Sequence, residues 1–144
     1  MATTLDSAEI CALLPHAGHM CLLEHVEDWN EERLRAVTDS HRLPHHPLAR
    51  EGGVSGVHAL EYGAQAMAVH AALLARRAGE PPRGGHLASA RRLQLHRERL
   101  DDLDEPLYIE AERQFAQAES LVYGFRLWTS QGPVASGIAS VFMR

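Results

Sequence analysis

Hydrophobic side chains recur along this chain with two different periods, and the change of period divides it into elements. From Gly56 onward, Val57, Leu60, Ala64, Met67, Ala71 and Leu74 step by three and four, the spacing of one helical face. Arg76 and Arg77 fall in the last turn, Gly79 suits a left-handed cap, and Pro81–Pro82 prevents continuation. Alanine dominates the interior of this helix, so a sheet can approach it closely. After Gly84–Gly85 the period drops to two. Strands are expected over His86–Arg97, Pro106–Ala116, Leu121–Thr129 and Val134–Met143. Tyr123, Phe125 and Leu127 share a face of the third, and Val134, Ile138 and Phe142 a face of the fourth. Gln117-Ala118-Glu119 and Ser130-Gln131-Gly132-Pro133 read as turns.

The first half is less regular. Asp6 and Glu9 form a capping box for a short helix with Ile10, Leu13 and Leu14 on its apolar side, ended by Pro15. Met20–Asp28 and Arg33–Ser40 read as strands joined by a turn at Trp29–Asn30. The stretch His41–Ser55 holds two prolines and two glycines and is too long for a hairpin loop, a length at which loops tend to carry function. The order is short helix, two strands, long helix, four strands. It fits one α+β domain over residues 1–144, an antiparallel sheet wrapped around one long central helix.

Composition narrows the class. No apolar run approaches the ~18 residues of a membrane span, and no basic segment leads into an apolar one at Met1–Asp6, so a cytoplasmic protein is expected. Cys11 and Cys21 form no CxxC pair and are expected to be idle thiols in a reducing compartment. A formal net charge of −5 argues against nucleic-acid binding. The charge is uneven, however. Residues 1–32 carry seven acidic side chains and no Arg or Lys, whereas seven arginines (76, 77, 83, 91, 92, 97, 99) lie between Arg76 and Arg99 against Glu80 and Glu98. That cluster reads either as a solvated face or as a surface for an acidic partner. The chain has no lysine, which excludes Schiff-base chemistry on one. His16/His19 and His41/His45/His46 invite a metal reading, but Pro44 breaks helical spacing and no Cys or Asp completes a set. No metal is expected.

Two motifs resemble a known family. Leu13-Leu14-Pro15-His16 followed by Met20-Cys21-Leu22-Leu23-Glu24-His25-Val26 looks like the N-terminal signature of FabZ/FabA-type 3-hydroxyacyl-[acyl-carrier-protein] dehydratases. Ser55-Gly56-Val57-His58-Ala59-Leu60-Glu61, then Ala64-Gln65-Ala66, resembles that family's Pro-Gly-Val-x-x-x-Glu-x-x-Ala-Gln motif. Leu87-Ala88-Ser89-Ala90-Arg91 extends the similarity, and the stretch from Glu61 to His70 looks closer to a divergent, aryl-polyene-pathway (ApeP-like) subgroup. The resemblance implies a hotdog fold and an acyl carrier protein as partner. It also implies a homodimer or hotdog heterodimer, and elimination of water to a trans-2-enoyl thioester without a cofactor.

The same resemblance assigns roles. Dehydration needs a base for the proton beside the carbonyl, an acid for the departing hydroxyl, and donors for the enolate-like oxygen. Glu61 occupies the acid position, with Gln65 one turn later placed to orient it. Gly56 and Val57 match the helix-start residues whose N–H groups are expected to point outward unpaired, as an oxyanion cradle. The family's base lies 14 residues before the acid, where this chain has Pro47; His46 lies 15 before Glu61 and His45 lies 16 before it. A one-residue insertion would bring His46 into place as base, facing Glu61 of the other subunit in the dimer that the resemblance implies, with His45, or no base at all, as the alternatives. His58 is spaced to touch Glu61, as an alternative acid/base pair or a surface contact, while His70 falls on the opposite side of the helix and is expected to be a packed or interface histidine. A non-catalytic partner subunit or acyl-binding module, or an acyl thioesterase, would use the same fold.

Overall fold

The computed structural model describes residues 4–14, 20–43, 46–50, 53–81 and 85–143. Among these the chain forms α1 (Ser7–Ala12), β1 (His25–Trp29), β2 (Arg33–Thr38), α2 (Ala59–Arg77), β3 (Gly85–Leu95), β4 (Leu107–Gln117), β5 (Ser120–Thr129) and β6 (Gly132–Met143). Three-ten turns occupy Ser40–Arg42 and Gly56–His58, the second leading directly into α2. The six strands make one antiparallel sheet in the order β1-β2-β4-β5-β6-β3, and α2 packs against β2, β4, β5 and β6. This is the α+β arrangement that the element order predicts.

Local chemistry explains most boundaries. Asp6 and Glu9 close the capping box, with Glu9 N–H donating to Asp6 at 2.8 Å and Asp6 N–H to Glu9 at 3.0 Å. Asn30 Oδ1 accepts from the N–H groups of Glu32 and Arg33 and turns β1 into β2. The first strand begins at His25 instead of Met20, because the polar groups of Met20 and Leu22 bond to side chains and not to a neighbouring strand. Likewise β3 ends at Leu95. Beyond it, Glu98 and Leu100 bond to Gly56 and Val54 and form a short brace under the start of α2.

Two expectations need correction. The cysteines are not idle thiols: Cys11 and Cys21 are joined in a disulfide, their Cα atoms 5.8 Å apart. The capping box and the Leu5–Val26 bridge hold α1 against the segment that carries Cys21. The buried stripe of α2 is also rotated from the predicted one. Ala59, Tyr62, Gly63, Ala66, Val69, His70 and Leu73 are buried, whereas of the predicted series only Met67 is, and Val57 is 57% exposed. Although His41 Nδ1 and Trp29 Nε1 are buried without a partner among the described residues, most polar side chains that enter the core find one there. His70 shows how: its Nδ1 accepts the Tyr123 hydroxyl at 2.7 Å and its Nε2–H donates to the Asn30 carbonyl at 2.8 Å. This neutral ring ties α2 to β5 and to the β1–β2 turn, and confirms it as a packed histidine. Gly63 lets the helix rest on Phe125, since a Cβ there would lie 2.7 Å from the ring.

Candidate active site

The site is built around the start of α2. Ser55 caps the three-ten turn, its Oγ accepting from Val57 N–H at 3.3 Å. Gly56 is buried against the 97–100 segment, where a Cβ would run into the Arg97 carbonyl. Its N–H donates to the Glu98 carbonyl at 2.8 Å. Asp101 braces the same loop by accepting Val54 N–H at 3.0 Å, and the Arg99 guanidinium holds its carboxyl down to about 2. The cradle of two unpaired amides therefore needs correction. The backbone brace takes the Gly56 N–H, and Val57 keeps only a long bond to a side-chain hydroxyl.

Glu61 lies half-buried in the first turn of α2. Its Oε1 accepts from Gln65 Nε2 at 3.1 Å, and its Oε2 has no hydrogen-bond partner among the described residues. Gln65 is buried and fully engaged. Its Nε2 also donates to the Met20 carbonyl at 2.6 Å, and its Oε1 accepts Leu22 N–H at 2.8 Å. The predicted pair of Glu61 and Gln65 is thus brought together, with Gln65 acting on the protein and not on open space.

Within the single chain, His46 sits in a separate network. It is buried, its Nδ1 accepts Leu48 N–H at 3.0 Å and its Nε2 meets the Tyr62 hydroxyl at 3.0 Å. Burial, with His58 and His41 nearby, holds its pKa below the ordinary histidine value. Tyr62 continues to Ser40 at 2.9 Å, and Ser40 and Thr38 both donate to the Leu22 carbonyl at 2.7 Å. Burial pushes the Tyr62 hydroxyl well above its usual pKa, so it remains protonated. His46 makes no hydrogen bond to Glu61, and no hydrogen bond joins His58 to Glu61. His45, His16, His19 and Arg83 lie outside the described residues.

Tyr62, Ser40 and the Leu22 backbone, which link His46 to Gln65 by hydrogen bonds, are parts of this site that the sequence did not reveal. The available signal was a tyrosine placed directly after the acid in a helix otherwise rich in alanine. Among the described residues no three His, Cys, Asp or Glu side chains gather as a metal-binding set. No helix among them is long and apolar enough to cross a membrane. The arginine cluster is partly used within the fold. Arg77 lies over the Trp29 ring, 4.3 Å from its centroid, and Arg99 pairs with Asp101.

A six-stranded antiparallel sheet wrapped around one long helix, with a carboxylate in the helix's first turn, defines the hotdog architecture. The profile of the ApeP-like family, described as ApeP dehydratase, matches residues 8–144, and the chain belongs to that family. Among solved structures, the dehydratase heterocomplex ApeI:P from Xenorhabdus doucetiae superposes with a TM-score of 0.84 at 18% identity, covering 94% of this chain and 90% of that one. A mutant thioesterase from Pseudomonas aeruginosa gives 0.63 at 14% identity over 96% and 94% of the two chains. A hypothetical thioesterase with coenzyme A from Streptococcus pneumoniae gives 0.62 at 13% over 83% and 84%. No curated protein sequence matches the chain significantly.

Proposed function

We propose that this chain is a subunit of a 3-hydroxyacyl-[acyl-carrier-protein] dehydratase, forming a trans-2-enoyl thioester in fatty-acid or aryl-polyene-type biosynthesis in the cytoplasm. The carrying observation is Glu61, half-buried at the start of α2 with one oxygen held by Gln65 and the other without a partner among the described residues. A carboxyl group so held can give its proton to a departing hydroxyl and take one back from water. Val57 N–H, bound only loosely to Ser55, is the amide best able to turn toward a thioester carbonyl.

The chain works as one half of a pair. Its edge strand β3 is exposed from Leu87 to Leu95, and the Val57–Leu60–Ala64 side of α2 is only half covered. The heterocomplex among its structural relatives supports a second hotdog chain as the other half. His46, with both ring nitrogens engaged, favours a division of labour in which the partner brings the base and this chain brings Glu61. An acidic acyl carrier protein delivers the substrate, and Arg91 and Arg92 belong to the basic surface that meets it.

The test is enoyl-thioester formation from a 3-hydroxyacyl carrier protein, followed by mass spectrometry with the purified chain alone and with its co-purifying hotdog partner. Glu61→Gln is expected to lower turnover by about 10²–10⁴-fold. Unchanged turnover in that variant removes Glu61 from the reaction. Full activity of the isolated chain removes the division of labour, and release of free thiol without enoyl product indicates a thioesterase.

A further inference from the structure

We infer that Tyr62 is a positioning residue for Glu61, and that His46 supports Tyr62 from behind instead of acting as the base. The hydrogen bonds beneath the site form one chain with a direction at every link. Leu48 N–H can only donate, so His46 Nδ1 accepts it and the proton of the neutral ring sits on Nε2. The Leu22 carbonyl can only accept, so the Ser40 hydroxyl donates to it and Ser40 Oγ is left to accept the Tyr62 O–H. Tyr62 therefore accepts His46 Nε2–H. On the other side of the same residue, Leu22 N–H goes to Gln65 Oε1, and Gln65 Nε2 holds Glu61. His46 and Glu61 are the two ends of one chain that passes through a single backbone residue.

Three features make this a support and not a proton path to substrate. Every side chain between the ends is buried, with exposures of 4% for Ser40, 0% for Tyr62 and 5% for Gln65, and His46 itself is 4% exposed. His46 has no lone pair free to meet a substrate proton, which a general base requires. Protonating it would set an Nδ1–H against Leu48 N–H, donor facing donor. Tyr62 also follows Glu61 directly in α2, so the seating of its ring fixes the helical turn from which the carboxylate projects.

The kinetic part of this inference rests on the dehydratase reading, and the spectroscopic part does not. His46→Gln keeps a side-chain N–H for Tyr62 but cannot act as a base; His46→Ala removes both, and Tyr62→Phe removes the hydroxyl while keeping the ring. Measured with the paired protein on a 3-hydroxyacyl pantetheine thioester, His46→Gln is expected within about threefold of wild type. His46→Ala and Tyr62→Phe should each lower kcat about tenfold with KM little changed, as small misplacements of a catalytic group do. The double variant should be no worse than either single one, because both break the same chain. Loss of about 10²–10⁴-fold in His46→Gln as well as His46→Ala, with Tyr62→Phe near wild type, overturns the inference and restores His46 as base. If the wild-type pair forms no enoyl product, the dehydratase reading fails and nitrogen-15 NMR of the imidazoles decides the inference alone. A neutral Nε2–H His46, whose signal moves together with the Leu22 amide in Tyr62→Phe, upholds it. An Nδ1–H or freely titrating His46 that Tyr62→Phe leaves unchanged overturns it.

Discussion

Gln65 has two donor hydrogens and one carbonyl oxygen, and all three are engaged: with the Met20 carbonyl, with Glu61 and with Leu22 N–H. Its position one turn after Glu61 could be read from the sequence, because helical spacing alone puts the two side chains together. The fate of His46 could not. Its partner Tyr62 lies 16 residues away, and its other partner depends on how the loop turns at 46–48. Spacing to Glu61 ranks candidate bases but does not reveal which nitrogens the fold has already bound. Acid sensitivity belongs at this scale too. Burial lowers the pKa of His41, His46 and His70 below the ordinary histidine value of about 6.5. The unfolded chain therefore binds more protons than the folded one once the pH drops below that value. Stability from these rings is complete above about pH 6.5 and is lost as the pH falls through their lower folded values. Denaturation midpoints measured from about pH 8 to about pH 5 should decline over the acid half of that range; a level profile would show that the three rings keep ordinary pKa values.

The long helix was the most legible element, since its caps are local chemistry: Ser55 and Gly56 begin it, and Gly79 with φ +72° ends it. Its buried face was legible only in part. Hydrophobic spacing favoured the Val57–Leu74 series, while the folded helix buries Tyr62, Gln65 and His70, whose hydrogen bonds no hydropathy pattern encodes. The later strands were easier, because alternation and turn residues agree there, whereas the segment before β1 departs from strand geometry to serve Gln65. Gly63 makes the tightest demand on the helix–sheet contact. A methyl group at this position would press on Phe125, which Gly137 flanks from β6, 2.9 Å from where its own Cβ would lie. Gly63→Ala should cost about 1–3 kcal/mol by overpacking, more than alanine's better helix propensity returns. Urea denaturation reads this directly, and a stability gain would mean that Phe125 has room to retreat.

For the whole molecule, the informative feature is the outer edge of β3, which bonds to β6 on one side only. Pairing this strand with a copy of itself about its middle would bring Arg91 and Arg92 close to their own counterparts, and like charges across an antiparallel pair repel. A neutral or acidic edge on another hotdog chain meets no such penalty. Self-association is therefore expected to strengthen with added salt and in Arg91→Gln/Arg92→Gln, while the mixed pair weakens or holds. Sedimentation at low and high salt separates these cases, and a homodimer indifferent to both changes would remove charge as the selector. The same edge also imposes a deadline. From synthesis until pairing, a row of open N–H and C=O groups is available to any strand it meets, and such edges seed misassembly. The irregularities between Leu87 and Ser89 and between Arg91 and Gln94, together with the two arginines, blunt that edge without closing it. If the chain pairs as proposed, how much of it survives in a cell is set by how soon a partner arrives, and its abundance should follow that of the partner.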